Sequence, residues 1–217
     1  MTKTTAIIRL ARPGHWIKNV IVLFPVLFAI RTGDPSAWFN AGLATVAFCL
    51  ASSAIYIFND IGDREADRLH PQKKDRPLAA NQIGVTTACI TATCLIVAGI
   101  LTALCVNYLV PAIVVSYLLL QCAYTLVLKH KTIIDVICIA LGFVLRSVAG
   151  AIAISVEVSP WLFVCTFTIC LFMGFCKRYN ELATLTEPLE ATGHRKTLAA
   201  YNSELLTHLI TLSAGVA

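Results

Sequence analysis

The chain has 217 residues, of which 58% are hydrophobic and 13% are charged, and its mean hydropathy is +0.77. Soluble domains carry about a quarter charged residues, so the composition excludes an ordinary soluble domain and favours a protein of the lipid bilayer. The net charge of +5 would suit a nucleic-acid-binding protein, but the basic residues lie in short loops between apolar runs. That distribution argues against nucleic acid as a partner.

Apolar runs divide the chain, and a helix needs about 17 to 25 such residues to cross a bilayer. We expect an all-α, polytopic membrane helix bundle that forms one transmembrane domain over residues 1–217. The first run lacks a small-residue cleavage site, so we expect no signal peptide. Six complete spans and the start of a seventh are predicted, at residues 16–30, 38–58, 85–105, 109–128, 133–154, 161–176 and 205–217.

The placement of basic residues predicts the topology. Apart from Arg31 and Arg146, the Lys and Arg residues lie near the N terminus or in the loops after the second, fourth and sixth spans. The positive-inside rule then places the N terminus and two long polar loops, at about residues 59–84 and 177–204, in the cytoplasm. We expect a multi-pass protein of a bacterial inner membrane.

Nine cysteines would permit a disulfide framework, but nearly all of them lie within predicted spans. Cysteine in such a setting behaves as a small hydrophobic residue. The sequence contains no CxxC pair, so we predict neither disulfides nor a thiolate-bound metal.

Polar residues stand unusually early in the first span, in the stretch Trp16-Ile17-Lys18-Asn19. Lys18 and Asn19 are candidates to bind a phosphate group at the mouth of the bundle. The alternative is an interfacial anchor, in which Trp16 lies at headgroup level and the lysine reaches toward water.

The stretch after the second span combines carboxylates with an amide. Asp60, Asp63 and Asp67 follow one another at i, i+3 and i+7, so a continuous helix would place them on one face together with Asn59. Carboxylates on one face repel each other unless a cation lies among them, and oxygen ligands without Cys or His select a hard ion. The pattern predicts an Mg²⁺ site that holds a diphosphate.

The same loop supplies cations close behind the carboxylates, and such groups suit phosphate binding. A solvated charged loop is the alternative interpretation. The basic residues are Arg64, Arg68, Lys73, Lys74 and Arg76.

Asp135 and Arg146 are eleven residues apart in the fifth predicted span, about three helical turns, and project from one face. A guanidinium about 16 Å further along the helix is costly in a bilayer unless it faces a polar cavity or a partner. We favour a cavity role for Arg146, with a structural ion pair as the alternative.

The stretch NDIGDREADRLHPQKKDRPLAA resembles the first aspartate-rich motif, NDxxDxxxD, of the UbiA superfamily of intramembrane prenyltransferases. Because HPxKxxRP follows, the similarity points to the branch that makes polyprenyl-phosphate phosphoribose. Residues 12–19 resemble the RPxQWxKN element of that branch, and DVICIALGFVLRSVAG is similar to its fifth-span signature. The family bundle usually has nine helices, so the resemblance implies that a C-terminal part is absent here.

The second aspartate-rich motif of diphosphate-binding prenyltransferases has no counterpart after the sixth span. Instead Lys177, Arg178 and Glu181 form a KRxxEL sequence similar to that of the phosphoribosyl branch. Tyr124 and Lys129 resemble a Tyr-x-x-x-Lys element of the family with one extra residue, although a belt tyrosine and a positive-inside lysine explain them equally well. Glu187 and Glu190 follow in the same loop. His194, Arg195, Lys196 and Tyr201 continue the pattern of the phosphoribosyl branch, although an amphipathic surface helix explains them equally well.

The resemblance implies Mg²⁺-dependent transfer of 5-phosphoribose from 5-phosphoribosyl diphosphate to a membrane polyprenyl phosphate. The implied metal ligands are Asn59, Asp60, Asp63 and Asp67, and the three aspartates act in catalysis with Lys177 and Arg178. Two other functions remain open: transfer of a prenyl group to an aromatic acceptor, and a transporter or non-catalytic membrane subunit. A homo-oligomer is compatible with the sequence.

The resemblance also implies a set of substrate-binding residues. They are Lys18, Asn19, Asn59, Arg68, Lys73, Arg76, Tyr124, Lys129, Asp135, Arg146 and Glu181.

Overall fold

The computed structural model describes residues 3–183 and 201–217, and all regular secondary structure within those ranges is helical. Pro13–Leu23 and Leu128–His130 are 3₁₀ segments. The α-helices are α1 (Lys3–Ala11), α2 (Phe24–Phe28), α3 (Pro35–Gly62), α4 (Arg64–Leu69), α5 (Val85–Leu104), α6 (Val110–Leu126), α7 (Ile134–Ala153), α8 (Pro160–Ala183) and α9 (Ser203–Val216).

The helices form two compact units. The first unit comprises Met1–Leu118 with Ala149–Val156, and α3 is its centre because α1, α5 and the first 3₁₀ segment all pack against it. The second comprises Leu119–Val148 with Glu157–Ala217, where α8 packs against α9 around Val136, Phe175 and Leu206. Each unit has its own buried apolar cluster.

Local sequence explains the length and limits of α3. Asp34 caps its first turn by accepting hydrogen bonds from the backbone N–H groups of Ser36 (2.9 Å) and Ala37 (3.4 Å), and Pro35 stands at the first helical position. Both choices favour a helix start. The helix then runs for 28 residues, about 42 Å, and ends at Gly62 just past the motif residues Asn59 and Asp60.

Within residues 3–183 and 201–217, four helices are long and apolar enough to cross a membrane: α3, α5, α7 and α8. The apolar helix α6 is shorter. Many large apolar side chains on α5 and α8 are exposed, among them Ile90, Leu101 and Met173, as expected for surfaces that lipid covers. The count of six complete spans stays a prediction.

The predicted first span, residues 16–30, is not one regular α-helix, and its crossing of the membrane stays a prediction. The chain forms α1 where the sequence suggested only a basic lead-in, then the 3₁₀ segment Pro13–Leu23, then the short α2. Pro13-Gly14 and Pro25 explain the interruption, because proline removes a backbone donor and glycine is a weak helix former.

The 3₁₀ segment lies against the C-terminal part of α7 through Gly150. A Cβ atom at Gly150 would lie 2.0 Å from the backbone oxygen of Val22 and 3.2 Å from Cδ of Pro25. Only glycine permits this approach, since a backbone carbonyl cannot rotate aside as a side chain can.

We predict that Gly150→Ala destabilises the protein by about 1 to 3 kcal/mol, because the extra methyl group forces α7 and the 3₁₀ segment apart. Thermal unfolding of the detergent-solubilised protein measures the change. Gly42→Ala is the matched control: Gly42 also lies in a helix, but nothing is within 4 Å of its added Cβ. Equal unfolding temperatures for the two variants would contradict the close contact.

Candidate active site

Asp60 is the centre of a charged cluster in the first unit. It is only 2% exposed, at the end of α3. Its Oδ1 accepts hydrogen bonds from Nη2 of Arg12 (2.5 Å) and from Nη1 of Arg76 (3.1 Å). Two guanidinium groups from distant segments therefore compensate one buried carboxylate, which would otherwise be costly to desolvate.

Arg76 also joins the two aspartates at either end of the motif. Its Nη1 donates to Oδ2 of Asp67 at 2.6 Å as well as to Asp60. Oxygen atoms of both carboxylates thus lie within about 3 Å of one point that a positive charge occupies.

Asp63 does not share a continuous helix with its neighbours. Because α3 ends at Gly62 and α4 begins at Arg64, Asp63 forms the junction, with φ −91° and ψ 4°. The prediction of one helical face is wrong in this respect. In residues 3–183 and 201–217, no three Asp, Glu, His or Cys side chains group as a metal site.

The oxygen atoms around this junction nevertheless suit a hard cation. Oδ1 of Asn59 is buried and, among the described residues, has no hydrogen-bond partner, which is unusual for a polar atom away from water. With Asp60 and Asp67 it makes an all-oxygen donor set of the kind Mg²⁺ prefers. These three residues could hold the ion.

Arg12 reaches Asp60 because its backbone is left-handed, with φ 51° and ψ 57°. Its guanidinium lies over the ring of Tyr56, 5.2 Å from the centroid, and His15 meets the same ring edge-on at 5.0 Å. Burial, followed by the charges of Lys18 and Arg12, lowers the pKa of His15. His15 is therefore neutral at pH 7.

The other basic residues of the loop have different partners. Arg68 donates from Nη2 to Oδ1 of Asn81 at 2.6 Å and from Nη1 to Glu65 at 3.0 Å, while Arg64 donates to the same amide oxygen at 2.8 Å. Asn81 has a left-handed backbone (φ 55°). These contacts hold the loop together, and Lys73 is half-buried on it.

A cavity of about 360 Å³ opens beside Asp60. That volume is within the range of about 300 to 1,000 Å³ typical of small-molecule sites. Of the described residues that line it, all but one proline carry a polar or charged side chain: Arg9, Arg12, His15, Asp60, Gln72, Asp75, Arg76 and Pro77.

Asn19 and Lys18 do not line this cavity. The Asn19 side chain is fully buried, and its amide donates to Sγ of Cys49 and to Oγ of Ser52, both at 3.3 Å. Asn19 thereby fastens the 3₁₀ segment to α3. Lys18 is exposed, and the substrate-binding roles of both residues stay predictions.

The second unit contains a separate buried ion pair. Asp135, at the start of α7 and fully buried, accepts a hydrogen bond from Nε of Arg178 at 3.1 Å. Arg178 is 2% exposed and also donates from Nη1 to Oε2 of Glu181. A guanidinium so enclosed serves to compensate a buried carboxylate.

Tyr201 completes this pair from the segment before α9. Its hydroxyl donates to Oδ1 of Asp135 at 2.9 Å and accepts from the backbone N–H of Ile133 at 2.7 Å. Burial, followed by the charge of Asp135, raises the pKa of Tyr201. The phenol therefore stays protonated and ties α9 to the start of α7.

Lys177 and Glu181 line a second cavity, of about 470 Å³, whose lining among the described residues comes from α8. The Lys177 side chain is exposed and lies 3.9 Å from Oε1 of Glu181. The remaining lining residues are Phe172, Met173, Cys176 and Asn180. One side of this cavity is thus apolar and the other is polar.

Arg146 and the end of α6 provide the remaining predicted residues. Arg146 is buried, donates to the carbonyl oxygen of Gly142 at 2.8 Å and lies over the Phe143 ring. Tyr124 and Lys129 are half-buried. Glu187, Glu190, His194, Arg195 and Lys196 lie outside the described residues.

The sequence pattern of the UbiA prenyltransferase family matches residues 20–216. The chain belongs to this family. The decaprenyl-phosphate phosphoribosyltransferase of Mycolicibacterium smegmatis is 36% identical over 218 residues, which cover 97% of this chain and 67% of that protein. The protein of the same name from Corynebacterium glutamicum is 37% identical over 215 residues, covering 95% and 63%.

A UbiA homologue from Archaeoglobus fulgidus, solved with GPP and Mg²⁺ bound, superposes with a TM-score of 0.79 at 20% identity. The match covers 97% of this chain and 74% of that one. The predicted family and its all-α membrane fold are therefore confirmed, and the protein is a multi-pass membrane protein.

Six cavity residues of this UbiA family member are absent from the set of predicted site residues: Arg9, Arg12, His15, Gln72, Asp75 and Pro77. The sequence could have identified Arg12 as a candidate, because it is the first residue of the RPxQWxKN element. Gln72 and Asp75 occupy unspecified positions of HPxKxxRP, and Arg9 precedes any motif. Only the fold brings them to Asp60.

We predict that Arg178→Ala lowers the free energy of unfolding by about 3 to 5 kcal/mol, because it leaves Asp135 buried without its cation. The double variant Asp135→Leu/Arg178→Met should recover most of that loss, since an apolar pair has no charge to desolvate. Denaturant unfolding in detergent provides the measurement. The exposed Lys177→Ala variant is the control and should unfold like the wild type.

An Arg178→Ala protein as stable as the wild type would contradict this structural role. In that case the catalytic role predicted for Arg178 from the sequence would be the better explanation of its position.

Proposed function

We propose that this chain transfers 5-phosphoribose from 5-phosphoribosyl diphosphate to a membrane polyprenyl phosphate, with Mg²⁺, and releases diphosphate. The name shared by its curated relatives supports the reaction. The observation that carries the proposal in this structure is the polar cavity beside Asp60.

The polar side chains of that cavity suit a sugar phosphate donor. Among the described residues that line it, seven carry polar or charged side chains and Pro77 does not. A phosphoribosyl group needs cations for its phosphate and polar partners for its hydroxyl groups, both of which line this space.

Asn59, Asp60 and Asp67 would hold the Mg²⁺, with Asp63 at the junction as a further candidate. The ion, when bound, offsets negative charge on the diphosphate as it leaves. Arg12 and Arg76, held on Asp60, add guanidinium donors that match phosphate oxygens and hold the diphosphate in place.

In the reaction the bond from ribose C1 to the diphosphate oxygen breaks, and the diphosphate leaves with the electron pair. An oxygen of the lipid phosphate forms the new bond to C1. A phosphate monoester is already ionised near pH 7, so no strong general base is needed. The neutral His15 is then a hydrogen-bonding group, and catalysis consists mainly of positioning and charge compensation.

For the acceptor we propose the cavity on α8. Lys177 and Asn180 offer donors to a lipid phosphate, while Phe172 and Met173 suit the first part of an apolar chain. The further binding roles inferred from the resemblance are part of this proposal for Lys18, Asn19, Arg68, Lys73, Tyr124, Lys129, Arg146 and Glu181. Asp135 is not part of it, because it is fully buried and both of its carboxylate oxygens are bonded within the protein.

We also propose a bacterial inner membrane as the location, with the N terminus and both polar loops in the cytoplasm. Phosphoribosyl diphosphate is a water-soluble substrate, so its site must face an aqueous compartment. The basic residues concentrated around that site favour the cytoplasmic side.

We predict that membranes carrying the chain incorporate radiolabelled ribose phosphate into polyprenyl phosphate, and that Asp60→Asn reduces the rate by about 100-fold or more. Glu157→Gln is the matched control, because it removes an exposed carboxylate outside both cavities. Its rate should equal that of the wild type. Label appearing in the lipid phase is the readout.

A parallel assay supplies a prenyl diphosphate and an aromatic acceptor. Consumption of those substrates, without ribose transfer, would replace the proposed reaction by prenyl transfer. An active Asp60→Asn protein would remove the first motif from the mechanism.

Removal of Mg²⁺ with a chelator should abolish ribose transfer, because the diphosphate then leaves without charge compensation. Titration with Mg²⁺ should restore it. Asp67→Asn should require more Mg²⁺ for half-maximal rate, whereas Glu157→Gln should not. A rate that is independent of added Mg²⁺ after chelation would contradict the metal site.

A further inference from the structure

The cavity beside Asp60 contains groups that the reaction does not yet account for. Asp75 and Gln72 come from the loop after α4, and Arg9 comes from α1. Asp75 places a carboxylate in a space that would receive an anionic donor. A diphosphate or a phosphate next to it would be repelled.

Phosphoribosyl diphosphate has neutral hydrogen-bond donors in only one place, the vicinal hydroxyl groups of the ribose. A carboxylate accepts hydrogen bonds from hydroxyl groups readily, and bonds to a charged acceptor are stronger than neutral ones. The amide of Gln72 can both donate and accept. These two residues therefore match the sugar ring better than they match either phosphate end.

The basic residues of the cavity suit the 5-phosphate. Arg9, His15 and Arg12 all line it, and Arg12 also donates to Asp60 at the motif. A guanidinium from α1 and a neutral imidazole provide donors for a phosphate monoester without further metal.

We propose that this cavity is a ribose 5-phosphate subsite, in which Asp75 and Gln72 bind the ribose hydroxyl groups and Arg9 with His15 binds the 5-phosphate. The inference rests on the proposed function and adds the residues that select the sugar half of the donor. The residues that select the donor then lie outside the aspartate motif.

Two stable probes test the assignment: ribose 5-phosphate and 2-deoxyribose 5-phosphate, each titrated into the detergent-solubilised full chain by calorimetry with Mg²⁺ and without acceptor lipid. Phosphoribosyl diphosphate itself is titrated first into the wild type. The variants are Asp75→Ala, Asp75→Asn and Arg9→Ala. Gln82→Ala is the control, because Gln82 is an exposed glutamine of the same loop that does not line the cavity.

The wild type should bind ribose 5-phosphate about 10- to 100-fold more tightly than the deoxy probe, the range expected for a hydrogen bond to a charged group. Asp75→Ala should remove most of that ratio, and Asp75→Asn should leave an intermediate one. Arg9→Ala should weaken both probes by about tenfold or more and keep their ratio. Gln82→Ala should preserve both affinities.

An unchanged ratio in Asp75→Ala would overturn the assignment. The assignment would also be overturned if Asp75→Ala bound both probes more weakly by the same factor and needed more Mg²⁺ for binding, because Asp75 would then be a metal ligand. If the wild type fails to bind phosphoribosyl diphosphate, the proposed function fails and the subsite with it. That failure appears before any variant is compared, so the two failures are distinguishable.

Discussion

A single buried carboxylate organises the first unit of this protein. Asp60 lies at the end of a 28-residue apolar helix and is almost fully enclosed. A desolvated charge of this kind is unfavourable by several kcal/mol unless cations and hydrogen bonds compensate it. Arg12 and Arg76 supply that compensation from segments 48 residues before and 16 residues after it. Both segments converge on one atom of Asp60 and contribute residues that line the cavity.

In the second unit an arginine also compensates a buried carboxylate, but that ion pair joins two helices. Asp135 and Arg178 are both closed off from solvent, and Tyr201 occupies the remaining carboxylate oxygen. Around Asp60, by contrast, the arginine side chains keep 20% and 28% of their surface exposed and border a cavity. Partial exposure lets guanidinium groups bind a substrate, whereas full enclosure fixes two helices. The two ion pairs therefore differ in role although they share one chemistry.

Much of this arrangement was predictable from the sequence, and the exceptions have physical causes. The aspartate motif identified the family. Asp60, Asp67 and Arg76 stay predicted site residues, and the structure brings their side chains together because they are close in sequence. The partnership of Arg12 with Asp60 depends on a left-handed backbone and on a contact across 48 residues, which no periodicity reports. Arg178 was predicted from its KRxxEL sequence to act in catalysis, because a basic residue after an apolar span can contact a phosphate directly. Its burial against Asp135, 43 residues earlier, follows only from helix packing.

The irregular backbone of the predicted first span has a related cause. Hydropathy measures whether residues prefer lipid, but it does not measure whether the backbone can form an uninterrupted helix there. Pro13, Gly14 and Pro25 interrupt the ladder of hydrogen bonds, and the segment then settles against α3 through Asn19 and against Gly150 through Val22. Arg12 directly precedes this irregular segment and His15 lies within it, and both residues line the cavity. The departure from regular structure is thus part of how the site is built.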